Sequence, residues 1–110
     1  MNNSILISGC NSNYIPDNAR TFMKPVVNLG ATGTNIKNLM KTSGFSARDL
    51  QLLMDFPYIQ TIYNWTRGIN LPTIDNLVVL SKIFNCSINE IVVTDMVEIT
   101  LNGAASIKSA

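Results

Sequence analysis

The sequence predicts an all-α fold: a compact five-helix domain with an irregular N-terminal arm and a short C-terminal tail. Three observations lead there. Between about residues 33 and 95, apolar residues recur every three to four positions, the period of a helix with one buried face. Each such stretch carries its own start and stop residues, and the connections are only a few residues long. Apolar residues make up 46% of the 110 and charged residues only 14%, material for a packed core and not a disordered polyelectrolyte. The expected organisation is an arm over 1–32, a helical domain over 33–95 and a tail over 96–110.

The arm shows no period. Its asparagines, with Gly9, Gly30, Pro16 and Pro25, read as irregular or extended chain, and Val26-Val27 is a short candidate strand. The first helix opens near Thr32, buries Ile36, Leu39 and Met40, and stops at Gly44, which accepts a left-handed conformation. Ser46 opens the second helix, and Asp49 three residues on completes a capping-box spacing. Leu50, Leu53 and Met54 form its inner face.

Asp55-Phe56-Pro57 is a break, and proline suits a first helical turn, so the third helix is expected from Pro57 to Arg67, ended by Gly68. Thr73 caps the fourth helix, with Asp75 in its first turn. Ile74, Leu77, Leu80 and Phe84 form its stripe, Val78 and Ile83 lie alongside, and Asn85 stops it. Ser87 and Glu90 bracket a second capping box, and Ile88, Ile91 and Val92 line a short fifth helix. Val97 to Leu101 alternates apolar and polar as a strand does, and Gly103 to Ala110 reads as a loose end.

Composition narrows the function. The chain has no histidine, which excludes a catalytic triad, a Cys/His zinc site and imidazole acid–base chemistry; neither enzyme activity nor a cofactor is expected. Cys10 and Cys86 are too few and too far apart to suggest a disulfide framework or a metal site, so a reducing cytoplasm is the expected compartment. Ile7-Ser8-Gly9-Cys10 mimics a lipoprotein cleavage box, but the segment before it has no basic residue and only three consecutive apolar ones. No apolar run approaches the roughly 20 residues of a membrane span.

The third helix carries the chemistry. With Ile62 as the inward reference and about 100° per residue, Trp65, Tyr58, Ile59 and Thr66 fall within about 60° of it. Gln60, Tyr63, Asn64 and Arg67 fall on the opposite side, with Thr61 on the shoulder. Gln and Asn match an adenine edge, Arg matches guanine, and Thr touches a thymine methyl, so this stripe suits a DNA major groove. A polar outer face is by default only solvated. This one differs in having no carboxylate and in including an aromatic residue.

Gly44-Phe45-Ser46, the Leu50 to Met54 stripe, Gln60-Thr61-Ile62-Tyr63-Asn64-Trp65, Arg67-Gly68, Leu71-Pro72, Ile74-Asp75-Asn76-Leu77 and Leu80-Ser81 occur in a telling order and spacing. Over residues 32–95 the chain resembles the lambda-repressor-like (XRE, Cro/repressor-type) helix-turn-helix domains. The resemblance implies a five-helix DNA-binding domain whose second and third helices form the helix-turn-helix. It makes Gln60, Thr61, Tyr63 and Asn64 base or phosphate contacts, with Tyr58 added at the helix start. It gives Arg67 a phosphate near the helix end, leaves Ile62 and Trp65 in the core, and adds Lys37 and Lys41 of the first helix as backbone contacts. Two departures stand out. Where the family often has Gln after the serine that opens the second helix, this chain has Ala47, then Arg48, a looser phosphate contact. The turn Met54 to Ile59 is one residue longer than the commonest form and carries Phe-Pro-Tyr-Ile.

The resulting expectation is a sequence-specific transcriptional regulator acting as a homodimer on a double-stranded DNA operator. The second reading is an antitoxin or adaptor that keeps the fold but binds protein, drawn from the low charge and the apolar tail strand. The net charge of +1 conceals an uneven distribution. Residues 33–70 hold Lys37, Lys41, Arg48 and Arg67 against Asp49 and Asp55, a balance of +2, and the remainder carries −1. Few phosphate contacts and a shallow salt dependence follow.

Overall fold

A computed structural model describes residues 19–102, in the order β1 (Ala19–Val27), α1 (Leu29–Ser43), α2 (Ala47–Leu53), α3 (Gln60–Thr66), α4 (Ile74–Phe84), α5 (Ile88–Ile91) and β2 (Thr94–Asn102). The lipoprotein-like box, the reading of residues 1–18 and the loose end from Gly103 lie outside the described residues. The helices belong to one compact unit, Val26–Asp95, and the strands from 25 backwards and 96 onwards belong to another.

The expectation of an all-α fold needs correction, because β1 and β2 pair as a two-stranded antiparallel sheet. Residues 19–27, taken as irregular apart from Val26-Val27, form a nine-residue strand, and β2 extends beyond the alternating Val97–Leu101 at both ends. The two strands are separated in sequence by all five helices, so no hairpin turn advertises their pairing. Asn28 N donates to Val93 O at 2.8 Å at the base of the ladder. With strands of equal length, Val26 then lies opposite Asp95 and Phe22 opposite Ile99. In that register Pro25 falls where the missing N–H would have faced outward, the position a strand tolerates.

Helix α1 opens at Leu29, earlier than Thr32. Asn28 is its N-cap: the side-chain Oδ1 accepts from Ala31 N at 2.9 Å, and Nδ2 donates to Asp95 Oδ2 at 3.1 Å. Gly30 and Gly33 lower the helix propensity of this first turn, and the apolar period starts only at Ile36, so the sequence understates the helix. Buried Thr32 accepts from Val93 N at 2.9 Å and donates to Val93 O at 3.3 Å. Asn35 Nδ2 donates to the carbonyls of Glu90 and Ile91 at 2.8 and 2.9 Å, so α1 holds the end of α5 through side chains.

The punctuation read from sequence is otherwise present. Gly44 and Asn85 close α1 and α4 in the left-handed region, at φ 80° and 54°. Both capping boxes form: Ser46 with Asp49 and Ser87 with Glu90 exchange side-chain and backbone hydrogen bonds of 2.8–3.2 Å. Thr73 occupies the N-cap of α4, but its hydroxyl donates to the Asp75 carboxylate instead of accepting a backbone N–H.

Ile36, Met40, Leu50, Ile62, Trp65, Leu77, Leu80, Phe84 and Ile91 form the core, and Leu39, Met54, Ile83, Ile88 and Val92 pack against it. Three expected core residues lie outside: Leu53, Ile74 and Val78 are 56%, 71% and 53% exposed. The seven-residue α2 turns Leu50 inward and leaves Leu53 out, and Ile74 is the first residue of α4.

The Ser46 backbone N–H, and after it the Ser46 hydroxyl, holds the Asp49 carboxyl below its ordinary range. A carboxylate with a lowered folded-state pKa adds stability above its unfolded value of about 4, and that gain is lost as pH falls through the folded value. We therefore expect Asp49→Asn to lower the urea midpoint near neutral pH. The gap to the parent should close as pH falls below the unfolded value of about 4 toward the lower folded one. A gap that stays constant over that range would contradict the assignment.

Candidate nucleic-acid interface

Helix α3 is held from two sides. On its inner face Ile62 and Trp65 are buried, at 0% and 3% exposure. At its C-terminal end it meets α1 backbone to backbone. A Cβ on Gly33 would press into the Trp65 carbonyl oxygen and lie 2.9 Å from Gly68 N. Gly68, at φ 74°, in turn faces Gly30, whose Cα would lie 2.9 Å from a Cβ added there. The two helices approach at a distance only glycine permits.

The turn into α3 supplies the second support. Pro57 does not open the helix as expected, and α3 starts at Gln60. After α2, Asp55 takes a left-handed φ of 55° and turns Phe56 back toward the core. The Phe56 ring meets Trp65 edge to face, with centroids 5.6 Å apart and planes at 78°. Gln51 Nε2 donates to Phe56 O at 3.2 Å, and Phe56 N donates to Gln51 O at 3.0 Å. These contacts hold Phe56 in place, and the helical hydrogen bonds of α3 begin only with Ile59, whose carbonyl accepts from Ile62 N at 3.0 Å.

The later start moves Tyr58 off the helix. It is 72% exposed and does not share the inward face on which the helical wheel put it. Gln60, Tyr63 and Arg67 are exposed on the outer side of α3, and Thr61 and Asn64 are half-buried. The structure joins four of these residues in pairs one helical turn apart. Gln60 Nε2 donates to Asn64 Oδ1 at 3.0 Å, and the Arg67 guanidinium carbon lies 5.7 Å from the Tyr63 ring centroid. Arg48 is exposed on α2, with Nη1 donating a long 3.5 Å hydrogen bond to Gln51 Oε1. Lys37 and Lys41 are exposed one turn apart on α1, and no hydrogen bond among the described residues ties them to α3.

Sequence reasoning did not single out Gln51 and Phe56, which shape the turn, or Gly33, which sets the depth of α3 against α1. For Phe56 a signal existed: phenylalanine, with no polar atom in its side chain, is among the residues most often buried, even in a turn. The face itself is a row of hydrogen-bonding side chains with one cation and no carboxylate, chemistry suited to base edges and phosphates. The Asp49 carboxylate on α2 is committed to capping that helix. No group of three or more Cys, Asp or Glu side chains is arranged to hold a metal among the described residues, and no described helix is long and apolar enough to cross a membrane.

A family model described as Helix-turn-helix matches residues 36–91, from the middle of α1 to the end of α5. No curated protein and no solved structure matches the chain.

The glycine contact gives a paired prediction. Gly33→Ala should destabilise the domain by about 1–3 kcal/mol, because backbone, and not a yielding side chain, stands in the way. Gly30→Ala adds a methyl that meets only Asn28 Oδ1 at 3.9 Å, and should be neutral or stabilising by up to about 1 kcal/mol. Urea denaturation of the two variants beside the parent measures both.

Proposed function

The chain belongs to the lambda-repressor-like (XRE) helix-turn-helix family of DNA-binding regulators, and from that membership we propose that it is a sequence-specific transcriptional regulator acting in the cytoplasm. Helix α3 enters the major groove of a double-stranded operator, and its outer face selects bases. The observation that carries this reading is the carboxylate-free row of Gln60, Tyr63, Asn64 and Arg67 on the side of α3 opposite Ile62 and Trp65. Thr61 lies on the shoulder, where it meets a base methyl or a phosphate. Arg67, Arg48, Lys37 and Lys41 supply backbone contacts, and Tyr58, exposed just before the helix, reaches the strand at the groove edge.

The regulator works as a homodimer on a palindromic site, because two or three base pairs read by one α3 give modest specificity and a two-fold repeat doubles them. The strand pair supports self-association: Phe22, Met23, Met96, Val97 and Leu101 are 41–59% exposed, and an isolated two-stranded sheet is marginal in water.

Binding to a selected operator over a salt series tests the reading. Gln60→Ala should relax base preference. Arg67→Ala should weaken binding to every sequence and flatten the salt slope by about one unit. A parent protein that shows no salt-dependent DNA binding leaves the antitoxin or adaptor reading in its place. Removing residues 96–110 should reduce the solution mass to that of a monomer; an unchanged mass would take the tail out of the dimer interface.

A further inference from the structure

The two strands of the sheet have unequal outer edges. In the register set by Asn28 and Val93, the pairs Val26–Asp95, Lys24–Val97, Phe22–Ile99 and Arg20–Leu101 turn their N–H and C=O groups toward each other. The residues between them turn theirs outward: Thr21, Met23, Pro25 and Val27 on β1, and Thr94, Met96, Glu98 and Thr100 on β2. The outer row of β1 is broken at Pro25, which has no N–H to give. The same strand carries Arg20 and Lys24. Proline and long cations are devices by which a protein blunts an exposed edge. β2 has no proline, lysine or arginine, and its outer row is unbroken. Among the described residues no third strand pairs with it. β1 is composed as an edge strand, and β2 as an inner one.

The sequence of β2 indicates its neighbour. Val97-Glu98-Ile99-Thr100-Leu101 alternates apolar and polar symmetrically about Ile99. Antiparallel pairing with an identical strand about that residue sets Val97 opposite Leu101, Ile99 opposite Ile99, and Glu98 opposite Thr100 of the second copy. Glu98 and Thr100 are outward-facing, so each of those pairs exchanges two backbone hydrogen bonds. Centring the pairing on Glu98 instead sets two carboxylates face to face, and centring it on Val97 sets Ile99 against Asp95. Centred on Ile99, a row of Phe22, Ile99, Ile99 and Phe22 crosses four strands, with Arg20 and Lys24 left on the two outermost. A two-stranded sheet is marginal in water, whereas three or more strands with a hydrophobic face can stand alone.

We infer that β2 pairs with β2 of a second copy, antiparallel and centred on Ile99, into one continuous sheet in the order β1-β2-β2-β1. This rests on the homodimer proposed above and names the edge and register that build it.

Two measurements on the full chain test it. The first is cross-linking in a Cys10→Ser, Cys86→Ala background. Ile99 and its copy form a non-hydrogen-bonded pair with Cα atoms about 4.5 Å apart, within disulfide reach. Ile99→Cys should therefore give a covalent dimer on mild oxidation. Phe22→Cys, three strand spacings or about 14 Å from its copy, should not. The second is dimer dissociation by sedimentation equilibrium. Thr100→Glu sets a carboxylate against Glu98 in two symmetric places and should weaken the dimer about tenfold. Adding Glu98→Lys makes both pairs attractive and should restore the parent affinity. Thr100→Lys alone meets Glu98 with the opposite charge and should hold the dimer.

The inference is overturned by a dimer in which Ile99→Cys fails to cross-link, Phe22→Cys links instead, or Thr100→Glu dissociates no more readily than the parent. Equal weakening by Thr100→Glu and Thr100→Lys would overturn it too. In each of these cases the homodimer itself survives. A parent that stays monomeric at every concentration, as it would with another segment of its own chain seated on β2, removes both.

Discussion

The close approach of α1 to the C-terminal end of α3 governs the rest of the structure. Gly33 and Gly68 bring two helix backbones to a separation that a single methyl would widen. The consequence reaches Trp65. With its carbonyl facing Gly33 and its side chain 3% exposed, it is fixed at both ends, and α3 can neither roll nor slide without breaking one of the contacts. Phe56 closes the third side by packing edge-on against the same indole. A helix of only seven residues has little stability of its own. Its orientation comes from these tertiary contacts, and its outer face is therefore presented as a rigid row.

That rigidity gives the outer face its chemical meaning. Gln60 and Asn64 satisfy each other along the helix, and Tyr63 offers its ring to Arg67. A cation over an aromatic face keeps a long side chain extended along the helix without neutralising its charge. The surface thus spends less conformational freedom on contact than four independent flexible side chains would. The geometry of this face is thus set by Gly33, Gly68 and Trp65, none of which belongs to the outer row itself.

Most of this architecture was legible in the sequence because its signals are local. Ser46-Asp49, Ser87-Glu90, Gly44 and Asn85 act within a few residues of themselves, and each does what its side chain or backbone freedom dictates. The inward turn of Ile62 and Trp65 follows from helical period alone. What the sequence hid is non-local. Residues 19–27 become a strand because residues 94–102 lie beside them, and neither segment announces the other. Early in α1, the helix-weakening Gly33 has a purpose visible only with α3 in place. Pro57 and Tyr58 read as helix because proline suits a first turn. The structure instead turns at the left-handed Asp55, packs Phe56 on Trp65, and starts the helix at Gln60. The outer residues of α3 were readable as a stripe, but their pairing required side-chain positions.

The charge of the chain completes the picture of how such a surface would work. Four cations against two carboxylates over residues 33–70 is a thin supply for a polyanion, and one of those carboxylates is bound into a helix cap. Each phosphate neutralised adds affinity through counterion release, without regard to sequence. A protein rich in such contacts binds everywhere and must rely on a small excess at the right site. A protein poor in them binds weakly everywhere, and its useful affinity has to come from base contacts and from a second copy adding its own. Under that constraint a mobile glutamine on the reading face would forfeit affinity the chain cannot recover from phosphates. An amide already held by its neighbour, on a helix locked through Gly33 and Trp65, preserves it. On the regulator reading proposed above, the low charge and the ordered face act together, and base contacts carry the larger share of the binding.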